Sequence, residues 1–456
     1  MNEGERRLHV AAAVDEAFRG LKDLALPLII GLVAGGTRSS FSAIAFGLAG
    51  VAAALVIGIS RWQATAYAVT DRALHFRSGV FSPDETVVPL DRIQAVDTIT
   101  GPVQRLFGVT GLHVQTPGGG EDGDVVLSAL SARAAADLRS ALGHADHGVG
   151  GARRRLSMTG LLVTALTAPQ LGVVLPVLGG LFGAVQNGLL GPGEAEVKNI
   201  NSVHEVVLVG LALLVAAWLL SFLGAVVAFS GFEVQRVEGR VRVRRGLLQR
   251  RAVSVPVARV DGVQVVESPL RRPFGLVTLR LEVTSLGGRE AAARTLFPLM
   301  RRAAVEPFLA AFLPELAGSL AVDDRPPARA RRRYVTRPLL AALAAGAATV
   351  AVIPAAWPAV PVLVVAAVLS GLDAYAAGGL RLHDGDARVV VRARRRGARV
   401  TLVARRRRLQ ELDVTRSPLQ RRAGLATHSI AVAGGTRLGV HHLERTLAAR
   451  VVARLP

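Results

Sequence analysis

The residues with the clearest chemistry are arginines. Arg240, Arg242 and Arg244 alternate with valines in "EGRVRVRRGLLQRR", and Arg245, Arg250 and Arg251 surround the turn that follows. Period-two alternation puts Arg240, Arg242 and Arg244 on one face of a strand and the valines on the other. A second cluster holds Arg388, Arg392, Arg394, Arg395, Arg396 and Arg399, followed by Arg405 to Arg408. A guanidinium presents donors in a rigid fork that matches phosphate and carboxylate, so such clusters bind anions. The candidate contact set for lipid or partner is Arg72, Arg77, Arg92, Arg105, Arg240, Arg242, Arg244, Arg245, Arg392, Arg394 and Arg408. Two other readings stand beside orientation on anionic lipid: a specific headgroup or protein site, and a solvated face written by biased codons. Lys22 and Lys198 are the only lysines, which fits the codon bias.

Other chemistry is thin. His144 and His147, and His441 with His442, lack a third ligand at metal-binding spacing. No nucleophile elbow, phosphate loop or HExxH occurs. The chain has no cysteine, which excludes disulfides, thiolate metal sites and cysteine nucleophiles. We therefore expect no enzyme and no cofactor. The formal charge of +21 calls for an anionic partner. Nucleic acid is not expected, because no aromatic residues interleave with the arginines for base stacking. Anionic membrane lipid is the expected partner, with another membrane protein or a homo-oligomer as further candidates.

What must position these arginines is membrane. Half of the 456 residues are apolar, and the apolar runs come in pairs. They are Leu24–Gly36 with Phe41–Ser60, Leu156–Leu190 with Val203–Ser230, and Pro338–Ile353 with Pro358–Gly378. A helix needs about 20 residues to cross the hydrocarbon core, so Leu24–Gly36 spans only if it starts near Phe18. Short connections make each pair an antiparallel hairpin. Arg153–Arg155 and Arg329–Arg333 precede the second and third pairs, which puts those ends and the N-terminus in the cytoplasm by the positive-inside rule. Trp62, Tyr334 and Tyr375 fall near the boundaries. The N-terminus shows no cleavable signal. Asp373 sits near the cytoplasmic end of the last helix. There it is either an interfacial carboxylate or, in a transporter or export component, an ion-coupling group.

A phrase recurs after each pair: "VVPLDRIQAVDTITGPVQRLFG", "SVPVARVDGVQVVESPLRRPFG" and "LVARRRRLQELDVTRSPLQRRAG". Pro102, Pro269 and Pro418 align, as do Pro89, Pro256 and Arg405 thirteen positions earlier. Repetition at this spacing means duplicated units. Each unit reads as several antiparallel strands followed by a helix. Leu127, Leu130, Ala134, Leu138 and Leu142 share one helical face, and Leu443, Leu447, Val451 and Leu455 share another. Ile93, Val96, Leu106 and Phe107 are expected in the core, with Gly108 at a turn.

The stretch "YAVTDRALHFRSGVFSPDETVVPLDRIQAVDTITGPVQRLFG" closely resembles the bacterial pleckstrin-homology-like (bPH2) domain of YdbS/YdbT-like membrane proteins. That resemblance implies an α+β membrane protein, with three repeats of a transmembrane hairpin followed by a PH-like β-sandwich or barrel with a C-terminal helix. The expected layout is hairpin 1 within 1–60, PH-like domain 1 at 61–143, a basic linker at 144–155 and hairpin 2 at 156–230. PH-like domain 2 follows at 231–317, a linker at 318–337, hairpin 3 at 338–378 and a divergent third domain at 379–456. About six helices in the cell membrane and cytoplasmic PH-like domains follow. No reaction is implied; the expected role is scaffolding or surface binding, with a transporter or a membrane enzyme as alternatives.

Overall fold

Valine- and leucine-rich strands with period-two burial dominate the fold, because each strand can bury one face and leave the other wet. A computed structural model describes residues 6–17, 40–70, 72–79, 84–93, 95–115, 125–142, 151–167, 203–283, 295–352, 354, 357–382, 387–433 and 436–444. They fall into two units, Met1–Val255 and Pro256–Pro456. Residues 18–39 and 168–202, on which parts of the first two expected hairpins fall, lie outside the described residues.

In the first unit, β1 (Arg6–Arg7), β2 (Ala66–Val69), β3 (Ala73–Ser78) and β4 (Asp84–Pro89) form a sheet in that order, with helix α1 (Ser40–Ala64) between β1 and β2. A 3-10 turn at Leu90–Arg92 then carries the chain to a second sheet. There β5 (Ala95–Thr100), short helix α2 (Pro102–Leu106), β6 (Val109–Gln115), β7 (Val125–Ser131) and helix α3 (Ala132–Ala141) complete the first repeat. The chain continues through β8 (Arg153–Arg155), α4 (Met158–Leu166), α5 (Val203–Phe229), β9 (Glu233–Val237), β10 (Arg240–Arg245) and β11 (Arg250–Pro256). These strands join the same second sheet, in the order β7-β6-β5-β11-β10-β9-β8. One sheet therefore contains the back half of the first repeat and the front half of the second. Leu74, Leu112, Leu127, Leu130 and Leu138 lie in one core cluster with Ile93 and Val96.

The second unit repeats the arrangement. It contains β12 (Val260–Glu267), β13 (Leu276–Val283), β14 (Thr295–Arg301), α6 (Val305–Phe312), α7 (Arg331–Val352), α8 (Ala359–Ala377), β15 (Gly379–Arg381), β16 (Arg388–Arg395) and β17 (Ala398–Arg405). The order β14-β13-β12-β17-β16-β15 again joins the back of one repeat to the front of the next. A last sheet, β18 (Leu409–Thr415), β19 (Leu425–Val432) and β20 (Arg437–Glu444), follows, with α9 (Pro418–Arg422) between its first two strands. The β16–β17 hairpin turns at Arg396 and Gly397, both with positive φ. That is the geometry of a two-residue turn matched to strand twist.

Among the described residues, two helices are long and apolar enough to cross a membrane, Ala328–Ala351 and Ala359–Ala377. A shorter apolar stretch, Val215–Phe229, lies within α5. α7 and α8 pack so closely that a Cβ on Gly371 would stand 2.6 Å from the Tyr334 carbonyl oxygen. Small residues permit such approach between apolar helices.

Three expectations change. Leu127 and Leu130 belong to β7, and α3 begins only at Ala132 because Ser131 caps it, accepting from the Ala134 amide. Leu443 lies in β20, and residues 447, 451 and 455 lie outside the described residues. α7 begins at Arg331, seven residues before Pro338, and encloses that proline.

Candidate functional site

The recurring phrase is a joint. Its first part is the 3-10 turn between sheets: Leu90–Arg92, Val257–Arg259 and Arg406–Arg408. Its middle is the first strand of the next sheet, and its end is a single helical turn. In that turn Gln104 is buried, accepts from the Gly101 amide at 2.9 Å and donates to the Ser128 carbonyl. Gln420 repeats this, accepting from the Ser417 amide and donating to Thr427. Arg271 occupies the same place in the second repeat and donates to Thr278 and the Pro298 carbonyl. Burial holds its pKa down at about 10. Gly108, Gly275 and Gly424 close the turn at φ near +64°, +62° and +65°, a region that favours glycine. Leu106 and Phe107, expected in the core, are exposed, as are Leu270, Phe274 and Leu419 at the matching turns. Each turn is only one helical turn long, so it has no second face to bury.

The arginines separate into four groups. Arg72, Arg77, Arg92 and Arg105 are exposed. Arg240 donates to Ser254. Arg392, Arg394 and Arg408 are engaged inside the second unit. Arg392 donates to Thr401 and to the Leu320 carbonyl, Arg394 to Ser370 and the Gly397 carbonyl, and Arg408 to the Ala258 carbonyl and the buried Asp261. Arg242, Arg244 and Arg245 come together in a concavity of about 670 Å³ in the first unit.

That concavity is the candidate site. Arg242, Arg244 and Arg245 from β10, Arg250 and Arg251 from β11, Arg155 from β8 and Arg139 from α3 line it, with Thr98 and Thr100 from β5. Ser230, Gly231 and Phe232, which directly follow α5, form one rim. The Gly246 amide donates to the Ser230 carbonyl at 2.8 Å and the Leu247 amide to the Val227 carbonyl at 2.9 Å, tying the β10–β11 turn to the end of α5. Leu247 and Leu248 are exposed there. The negative end of the α5 dipole also favours cations at this place. Glu233 is the single acid in the lining. It is ion-paired with Arg153 and Arg155, which hold its pKa below the usual carboxylate range. Arg242 is pushed down to about 10, chiefly by burial and then by the like charges of Arg139 and Arg244. Cations that crowd one another in this way are relieved by an anion.

The second unit answers the same problem with its own carboxylate. Asp373, in the last turns of α8, accepts from Arg399 at 2.9 and 2.5 Å. It also pairs with Arg394 at 3.5 Å and with Arg272. Arg399 and Arg250 hold equivalent places, each six residues before the aligned Arg405 or Pro256. The segment of α5 after Glu205 carries no acid that could do the same for Arg250.

A profile described as the bacterial PH domain matches residues 20–146, 176–316 and 320–455. The chain belongs to the bacterial PH domain family. Its three PH repeats are thus the units marked by the recurring phrase. The chain is also 24% identical over 375 residues to the UPF0699 transmembrane protein YdbT of Bacillus subtilis (strain 168), covering 74% of this chain and 75% of that protein. No solved structure matches.

Within the PH repeats, sequence reasoning found the β10 arginines but missed Arg139. That residue reaches the concavity from a helix a hundred positions away, and only the β5·β11 pairing brings it there. Among the described residues no group of three metal-ligating side chains occurs. His441 and His442 adjoin instead Tyr334 and Gln420.

Proposed function

We propose that this is an integral membrane protein whose cytoplasmic PH repeats hold the inner membrane surface, with the arginine-lined concavity of the first unit taking the phosphate of an anionic phospholipid. It performs no catalysis in this reading. The observation that carries it is seven arginines around one already paired glutamate, beside the end of an apolar helix.

The membrane architecture supports the reading. The residues before and after each apolar segment are strand partners: Arg6 with Tyr67, Arg154 with Val234, and Asp324 with Leu380. A segment whose two ends are hydrogen-bonded neighbours must leave and return on one side. This supports a hairpin for each apolar pair, with the repeats on one face of the membrane. The relative YdbT carries the description transmembrane protein. The arginine-rich approaches support a cytoplasmic position for that face, by the positive-inside rule. The exposed Leu247, Leu248, Leu270 and Phe274 lie beside helix ends or beside Arg272, which reaches α8. They are apolar contacts suited to the headgroup boundary.

Asp373 is held by Arg272, Arg394 and Arg399, which favours an anchor between helix and repeat over an ion-coupling group. The test uses the full chain in uncharged detergent, titrated with short-chain phosphatidylglycerol and phosphatidylcholine. The anionic lipid is expected to bind preferentially, with affinity falling steeply as salt rises. Equal binding of both lipids, or salt-insensitive binding, refutes the reading.

A further inference from the structure

Two sheet junctions within the chain follow one rule. The first strand after the 3-10 turn of one repeat pairs antiparallel with the last strand before that turn in the next repeat. At the first junction β5 meets β11, with Thr98 opposite Ala252 and Ile99 opposite Arg251. At the second, β12 meets β17, with Val265 opposite Thr401 and Val266 opposite Val400. The registers are identical in repeat coordinates. Thr98 and Val265 each stand four residues before the aligned Pro102 or Pro269, and Ala252 and Thr401 each stand four before Pro256 or Arg405.

The rule leaves one strand of each kind over. β4 precedes the first 3-10 turn and is the edge of its sheet, and β18 follows the third and is the edge of its own. Among the described residues neither has a strand on its outer side. Exposure agrees. Val87 is 49% exposed, whereas the residues at its place in the paired strands, Ser254 and Val403, are 7% and 0% exposed. Leu412 is half-buried on β18, whereas its counterparts Val96 and Val263 are buried. A bare strand edge is a template for a strand of the right pattern.

We propose that β4 of one copy pairs antiparallel with β18 of a second copy, joining copies of the chain head to tail through a third junction of the same kind. The rule fixes the register: Val414 opposite Glu85 and Thr415 opposite Asp84. Glu85 then faces a valine and has Arg416 as its diagonal neighbour, and Asp413 is already paired with Arg437 at 2.7 Å. The ladder is short, like that of β5 and β11. At the second junction a Cβ on Gly262 would stand 2.7 Å from the Val403 carbonyl oxygen. Glu411 occupies the Gly262 position in the third repeat, so the strands part before it. Because the joined surfaces differ, the contact is heterologous, and it builds rings or open rows.

The natural absence of cysteine makes the test clean. Full-length Glu85→Cys and Val414→Cys variants carrying different tags are co-expressed, oxidised in membranes or treated with a short bis-thiol reagent, and isolated through both tags. Cross-linked mixed-tag dimers are expected. A second pair, Asp84→Cys with Thr415→Cys, samples the other class of cross-strand position and guards against one variant failing to fold. Thr86→Cys with Val414→Cys is out of register and should give none. Absence of mixed-tag product for both in-register pairs overturns the proposal. So does a Glu85→Cys/Val414→Cys double variant that cross-links only within a single chain, because the edges would then have closed on each other. Equal cross-linking by the out-of-register pair also overturns it.

Discussion

Replacing Arg242 and Arg244 together by glutamine is the most direct probe of the concavity. Both side chains alternate outward from β10 while Val241 and Val243 point into the core, so the strand itself should be undisturbed. Glutamine keeps a polar side chain with N–H donors, though it is shorter and has two donors where arginine has five, and the pair of substitutions removes two charges. Each cation beside an anionic headgroup contributes about 1 kcal/mol. Losing two costs about 2 kcal/mol, or about 30-fold in dissociation constant at 1.4 kcal/mol per tenfold. The two are not independent, because Arg244 is one of the like charges that depress Arg242. Removing Arg244 alone relieves that repulsion, so the single variant should lose less than half of the double variant's free energy. The salt response should change too. The Debye length shrinks from about 10 Å at 0.1 M to about 3 Å at 1 M, and the wild type has more charge to lose. Calorimetric titration of the detergent-solubilised full chain with short-chain phosphatidylglycerol reads both effects. The matched control is Arg72→Gln with Arg77→Gln, which removes two exposed arginines outside the concavity. It should bind within about twofold of wild type. If the control loses as much as the double variant, a diffuse arginine face explains the binding. If neither loses affinity, the concavity is not the lipid site.

Three further outcomes follow. Asp373→Asn should lower the thermal midpoint by an amount corresponding to about 2 kcal/mol, between the values for exposed and buried ion pairs, because it leaves Arg399 and Arg394 without their carboxylate. Restoration by Asp373→Glu would separate charge from packing, and an unchanged midpoint refutes the anchoring role. Reporter fusions at residues 120, 195 and 290 should place 195 on the side of the membrane opposite the other two; any other pattern refutes the hairpins. Low pH should loosen the last repeat. Burial, then the charges of His441, Arg333 and Arg337, depress His442 from 6.5 to about 4, and His428 and His441 are depressed likewise. A folded pKa below the unfolded one means that the native state binds fewer protons, so stability is lost as pH falls from 6.5 through about 4, by up to about 3 kcal/mol for His442. His442→Asn tolerates the positive φ at this position and should flatten the pH dependence of unfolding between 4 and 6.5. A dependence as steep as wild type refutes the assignment.

The parts legible in sequence were those governed by local rules. Alternation put Val241 and Val243 inside, the repeated phrase marked three units, and Gly108 was read correctly at a turn. Leu106 and Phe107 were misread because apolar character alone does not say whether a turn has a second layer above it. Leu127 and Leu130 were misread because a strand running straight into a helix mimics helical spacing across the joint, and only the Ser131 cap shows where one ends. The candidate site was half legible: β10 declared its arginines, whereas Arg139 became a neighbour only through a pairing between strands 150 residues apart.

That same non-local pairing sets copies of one repeat in different surroundings. Each repeat donates its back half to the next repeat's front half, so a site at a junction is assembled from two copies that can diverge separately. At the first junction the arginines of β10 and β11 meet threonines of β5 and remain in excess over acid. At the second, Asp373 from the neighbouring helix and Glu267 from β12 take up Arg399 and Arg302. Arg405, standing where the other repeats have proline, is buried and donates to the Val257 carbonyl. The departure from the phrase at Arg405 in the third repeat thus falls within a structural joint. Arginine outnumbers acid most in the lining at the first junction, and that is where loss of an arginine should be felt by a ligand. At the second junction the same loss should be felt by the fold.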